Sequence, residues 1–172
     1  MEEIVTQQKN QKLVKVLSWI LIVLSAFVLL RSIFALQGYL AMITMQSMTK
    51  DFNPPVEINF ILYFIQSATE LLLCIIVFVA ATFVLKYKNL WRKVLVYGLI
   101  ASILFLMVSP LVNYYNFLPV SIKIPGINEN SMMSVAKTSI LVWSYTWSII
   151  ISAFFIYIIM KLSKEEIKLL FK

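Results

Sequence analysis

Four long apolar blocks dominate the pattern of hydrophobic and polar positions along the chain. An α-helix rises about 1.5 Å per residue, so about 20 apolar residues cross the hydrocarbon core of a bilayer. Each block is at least that long and carries at most two charged residues, which predicts four transmembrane helices in a single domain over residues 1–172. The blocks are Leu13–Leu36, Ile58–Leu85, Leu90–Val112 and about Val135–Met160.

Composition supports a membrane-embedded chain. Hydrophobic residues make up 61% of the sequence and charged residues 13%, against about 45–50% and about 25% in soluble domains. A chain of 172 residues has too little interior to bury this much apolar surface in water. We therefore expect an all-α integral membrane four-helix bundle with up-down topology. The first block could be a signal peptide, but it is longer than the usual apolar core of about 7–15 residues, which indicates a retained helix.

The distribution of charge predicts the orientation. The N-terminus, the turn at Lys86–Lys93 and the C-terminus together hold eleven basic and four acidic side chains, whereas the two longer loops hold three of each. The whole net charge of +7 thus lies on one side, which the positive-inside rule assigns to the cytoplasm. Both termini are expected to be cytoplasmic. Topogenesis and anionic lipid headgroups account for the basicity, so we expect no nucleic-acid partner.

The C-terminal segment Ser163–Lys172 has the pattern of a short amphipathic helix. Ser163 and Glu166 fit a capping box, in which each side chain bonds to the other's backbone. Apolar side chains fall on one face and lysines on another, so we expect this helix to lie in the inner headgroup layer. The alternative is that this helix docks to a cytoplasmic partner.

The chemistry available to the chain is limited. It has no histidine and a single cysteine, Cys74, so no intrachain disulfide, His-based triad or His-containing zinc site is possible. No nucleophile and base stand in a catalytic pattern. We expect a protein that is not an enzyme and has no cofactor.

Glu70 is the most informative residue, because a carboxylate near mid-bilayer must face protein or water. Gln66 lies four residues before it on the same helical face. Arg31, in the first block, is the obvious partner and could alternatively snorkel outward alone. The candidate intramembrane polar group is therefore Glu70, Arg31 and Gln66. A dry ion pair would favour a structural role, whereas a water-accessible cavity would favour ion or proton transport.

Small residues recur at helical spacing in every block. Such residues let helices approach closely, so packing is the favoured interpretation and a polar pathway the alternative. The positions are Ser18, Ser25 and Ser32, then Ser67, Cys74 and Ala81, then Gly98 and Ser102, and finally Ser144, Ser148 and Ser152.

Two further patterns leave alternatives open. Met42, Met45 and Met48 form an apolar helical face on the membrane surface or, since thioethers suit Cu(I), a copper site. A set of aromatic residues near the outer ends of the third and fourth blocks belongs to an interfacial aromatic belt or to a ligand cage. The set is Tyr114, Tyr115, Phe117, Trp143, Tyr145 and Trp147.

The short basic turn Asn89-Leu90-Trp91-Arg92 and the tail from Ser163 to Phe171 resemble motifs of small bacterial four-span membrane proteins of unknown function. The resemblance implies a bacterial inner membrane and no particular activity. The lipid bilayer is the expected partner, with a membrane-protein partner or a second copy of the chain in addition. The sequence favours an accessory or scaffold membrane subunit, and the alternative is a small transporter or channel subunit that uses Glu70.

Overall fold

The computed structural model is a bundle of helices and describes residues 2–48, 60–116 and 129–171. Its four long helices are each long and apolar enough to cross a membrane, which confirms the four predicted spans. A fifth, short helix follows them. The helices are α1 (Glu2–Met48), α2 (Phe60–Val84), α3 (Asn89–Asn116), α4 (Glu129–Leu162) and α5 (Glu165–Lys168). The two longer loops lie outside the described residues.

The helices differ in length from the apolar blocks. The first helix has 47 residues and so is about 70 Å long. It extends well beyond both ends of the apolar block Leu13–Leu36. Hydropathy marks only the part that lipid surrounds, whereas Gln and Lys are good helix formers that extend the hydrogen-bonded ladder into water. The third helix likewise continues past Val112 and contains Pro110.

Each long helix packs against its neighbours in sequence, α1 on α2, α2 on α3 and α3 on α4. One close approach is at Gly98 in α3. A Cβ atom there would lie 3.3 Å from Ile76 Cγ2 and 3.6 Å from Val77 Cγ2. The absent side chain at Gly98 thus lets α2 and α3 approach closely. We call the end that holds the α2–α3 turn and the end of α4 the basic end, and the opposite one the far end.

The bundle is built differently in its two halves. Buried apolar side chains gather toward the basic end, where they form a cluster that we call the apolar plug. In the far half, most buried side chains are instead serines of α1, α2 and α4, and Pro110 of α3 is buried as well. The plug consists of Val14, Leu17, Leu21, Val77, Ala80, Ala81, Val84, Leu95, Leu99, Ile158, Leu162, Ile167 and Phe171.

The predicted small-residue seams face the interior of the bundle, and several of their members, Ser25, Cys74, Ser102, Ser144 and Ser148, line a cavity there. All three serines of the α1 series are buried, as are Ser67 and Ala81 in α2, whereas Cys74 is half-buried. In α4, Ser148 and Ser152 are buried.

The C-terminal segment does not follow the predicted amphipathic helix. Ser163 still belongs to the ladder of α4, because its N–H bonds to the Ile159 carbonyl at 3.0 Å. The N-cap therefore falls on Lys164, which makes no side-chain capping bond, and the predicted capping box is absent. Ile167 and Phe171 are buried in the apolar plug. The expectation that this segment lies in the headgroup layer is thus wrong for its apolar face, which packs on the bundle.

Candidate functional site

Arg31 and Glu70 form an ion pair between α1 and α2. Arg31 Nη2 donates to Glu70 Oε1 at 3.1 Å and approaches Oε2 at 3.5 Å. The Glu70 side chain is 21% exposed and that of Arg31 is 69% exposed. The structure therefore brings the expected partner to Glu70, but most of the Arg31 side chain is uncovered by the protein.

Gln66 lies on the same side of α2 and bonds to a different helix. Its Nε2 donates to Ser109 Oγ at 2.7 Å and to Asn113 Oδ1 at 2.9 Å, both in α3. Gln66 Oε1 is buried and accepts no hydrogen bond from the described residues. The predicted polar group thus divides into two contacts, one that joins α1 to α2 and one that joins α2 to α3. Together they form a polar clasp, by which we mean Arg31, Glu70, Gln66, Ser109 and Asn113.

A cavity of about 480 Å³ lies beside this clasp and is lined by all four long helices. This volume is within the range of about 300–1,000 Å³ that small-molecule sites occupy. Glu70 and Arg31 both line it. Glu70 is therefore paired, but the pair lines a cavity and is not the enclosed, dry pair that the sequence analysis associated with a structural role.

The cavity ends at the apolar plug. Leu21 and Val77 belong both to the cavity lining and to the plug. The cavity therefore occupies the far half of the bundle, and its floor is the top of the packed core.

The α4 side of the cavity carries hydroxyls and aromatic rings. Ser144 and Ser148 line it together with Trp143 and Trp147. The two indoles meet edge to face, with ring centroids 5.8 Å apart and an interplanar angle of 82°. Both indoles are also partly exposed, so they lie at the wall of the cavity and at the surface of the bundle.

The methionine pattern is not decided by the structure. The backbone of α1 continues through Met48, but the side chains of Met42, Met45 and Met48 lie outside the described residues. In the described part of the chain, no group of three His, Cys, Asp or Glu side chains is placed to hold a metal ion.

A second polar centre, which sequence reasoning missed, lies at the basic end around Arg92. This side chain is only 8% exposed. Its Nη1 donates to the carbonyl of Leu162 at 3.0 Å, and its Nε and Nη2 donate to Asn89 Oδ1 at 3.1 and 3.0 Å. Leu162 is the last residue of α4, so the guanidinium satisfies a helix-terminal carbonyl and lies at the negative end of the helix dipole.

The tail reaches the same centre through Phe171. The Arg92 guanidinium lies 5.8 Å from the centroid of the Phe171 ring, within the range of a cation–π contact. The Tyr87 ring is also 5.8 Å from Phe171, and burial raises the pKa of the Tyr87 phenol above its usual value. The basic turn and the C-terminal tail, singled out separately in the sequence, are therefore in contact.

No protein-family model, curated protein or solved structure matches this chain. The features that bear on its function are the polar clasp, the cavity and the polar centre around Arg92.

Proposed function

We propose that this chain is a non-enzymatic accessory or scaffold subunit of a bacterial inner membrane. It crosses the bilayer four times in up-down order, and both termini are cytoplasmic. The resemblance of its basic turn and its tail to small bacterial four-span proteins supports the location.

The charge distribution supports the orientation. The basic end holds Arg92 and Lys93 at the start of α3 and Lys161 at the end of α4. Basic residues near the ends of spans favour the cytoplasmic side. The far end, with the clasp and the cavity, then faces the outer leaflet.

The observation that carries the scaffold assignment is that Glu70 is already paired. Its carboxylate is held by Arg31 across the α1–α2 interface, so the charge serves to join two helices. In addition, the apolar plug lies between Glu70 and the basic end, and an ion moving from Glu70 to the cytoplasm would have to displace packed side chains.

Two measurements on the purified full-length chain test this assignment. Affinity purification in mild detergent should recover a membrane protein in a fixed ratio to the chain, and recovery should survive Glu70→Gln. Vesicles that contain the purified chain alone should show the same ion-selective and proton fluxes as empty vesicles. A flux that Glu70→Gln abolishes would contradict the scaffold role.

A small transporter or channel subunit is the second candidate, and the cavity around Glu70 is the observation that favours it. A transported ion or solute would have to separate Arg31 from Glu70 and open the plug. The same flux measurement decides between the two, with Gln66→Ala as a matched variant that alters the clasp but leaves the carboxylate. Transport requires Glu70→Gln to remove the flux while Gln66→Ala retains it.

A further inference from the structure

The Arg31 guanidinium has unused hydrogen-bonding capacity. A guanidinium carries five N–H donors, and the contact with Glu70 uses only Nη2. Among the described residues, nothing accepts a bond from Nε or Nη1. Because the helix around Arg31 is apolar, an acceptor from outside the chain would stabilise these donors. Guanidinium groups bind phosphate oxygens in a bidentate manner.

The Glu70 carboxylate disfavours a ligand with a net negative charge. The ion pair is neutral overall, and its carboxylate repels a second anion placed on Arg31. A headgroup that carries both a phosphate and an ammonium complements both members, since the phosphate accepts from Arg31 while the ammonium donates to Glu70. The edge-to-face rings of Trp143 and Trp147 on the α4 wall offer further favourable faces to a cation.

Most of the remaining cavity surface is apolar. Leu24 and Val28 of α1, Phe105 of α3 and Ile151 and Phe155 of α4 line it. Hydrocarbon fits such a surface, whereas a small hydrophilic solute would leave it uncovered.

The cavity has a side that faces lipid. The α4 helix packs along α3, but it forms no comparably broad interface with α1 among the described residues. The cavity lies between these two helices, and Leu24 on α1 and Trp147 on α4 are 45% and 48% exposed. An acyl chain can therefore enter sideways, without crossing the plug.

We propose that the cavity binds one phospholipid with an aminoethyl-phosphate headgroup, phosphatidylethanolamine. The headgroup is recognised by the Arg31–Glu70 pair, and an acyl chain lies between α1 and α4. Arg31 lies seven residues before the end of the apolar span at Gly38, about 10 Å along the helix, so a headgroup that contacts the pair enters the cavity to about this depth. This assignment goes beyond the scaffold role and does not depend on it.

The test is native mass spectrometry of the full-length chain, delipidated in detergent and then offered equimolar phosphatidylethanolamine and phosphatidylglycerol. We expect one phosphatidylethanolamine per chain to be retained, with phosphatidylglycerol bound about tenfold more weakly because it lacks the ammonium. Excess soluble phosphoethanolamine should not displace the lipid, since it has no chain to fill the cavity.

Variants separate recognition from folding. Glu70→Gln should abolish the preference between the two lipids, and Arg31→Met should weaken binding of both. Because these changes also break the ion pair, Ser144→Leu supplies an independent variant that fills the cavity and leaves the pair intact. Ala153→Leu, which adds a similar volume at an exposed position of the same helix, is its control.

The expected pattern is loss of the retained lipid in Ser144→Leu and retention in Ala153→Leu. Equal retention of the two lipids by the unaltered chain would overturn the proposal. So would undiminished retention in Ser144→Leu, or displacement by soluble phosphoethanolamine, which would indicate a site for the free headgroup.

Discussion

Arg31 Nη2 lies 3.1 Å from Glu70 Oε1, which joins two residues that are 39 positions apart across the α1–α2 interface. The contact is asymmetric, because Glu70 is largely enclosed while Arg31 is 69% exposed. The carboxylate is therefore the member that depends on its partner. The Arg31 side chain also lines the cavity.

Labelling of single cysteines tests the orientation of the spans. In a Cys74→Ser background, cysteine placed at Asn53 or Asn128 should react with an impermeant thiol reagent in intact cells. Cysteine placed at Lys88, which is exposed at the basic end, should react only after the cells are permeabilised. Lys88 suits this purpose better than Asn89, because Asn89 accepts two bonds from Arg92. The reverse labelling pattern would invert the proposed orientation.

Arg92→Met should destabilise the bundle by about 2 kcal/mol, since it leaves the Leu162 carbonyl and Asn89 Oδ1 without their donor. Thermal unfolding in detergent measures the change. Lys93→Met is the matched control, because it removes the same charge from the neighbouring exposed position and should shift stability by less than about 0.5 kcal/mol. Equal effects of the two variants would mean that charge, and not the buried contacts of Arg92, stabilises this end.

Phe171→Ala should lower stability by about 3 kcal/mol, the typical loss for a buried aromatic residue, because the ring is 6% exposed in the plug. Leu169→Ala, at a position that is 81% exposed, should change the unfolding temperature little. Deletion of Ser163–Lys172 should then leave the four spans inserted but less stable. If Phe171→Ala and Leu169→Ala behave alike, the tail does not pack on the bundle as described.

Gly98→Leu should disrupt the α2–α3 contact, because even a Cβ atom at Gly98 would lie 3.3 Å from Ile76 Cγ2. Overpacking of this kind typically costs about 1–3 kcal/mol. Gly38→Leu is the control, since nothing lies within 4 Å of its would-be Cβ. Unfolding in detergent should separate the two variants clearly. Tolerance of leucine at both glycines would argue against the close approach.

Hydropathy alone could predict the four spans, because lipid imposes long apolar segments whatever their packing. It could not predict where α1 begins and ends, since helical bonding continues through polar residues such as Gln7 and Lys12. Glu70 and Arg31 could be paired from the sequence because charged residues are so scarce inside the spans.

The other features depended on tertiary contacts. In the sequence, Arg92 is one of several basic residues in a short turn, which the positive-inside rule already explains. The only local signal of its buried contacts is Asn89, three residues earlier. The cavity arises because α4 packs mainly along α3, an arrangement that no periodicity in α4 encodes. The predicted capping box is wrong for a similar reason. The hydrogen-bonded ladder of α4 continues through Ser163, which moves the N-cap to Lys164.

Arg31 and Glu70 are expected to stabilise the bundle as a pair, and a double-mutant cycle in thermal unfolding measures the coupling between them. Glu70→Gln and Arg31→Met should each lower stability, and the double variant should lose about 1–2 kcal/mol less than the sum of the two. This coupling is smaller than the 3–5 kcal/mol typical on breaking a fully buried pair, because Arg31 is largely uncovered. Additive effects of the two substitutions would contradict the pairing.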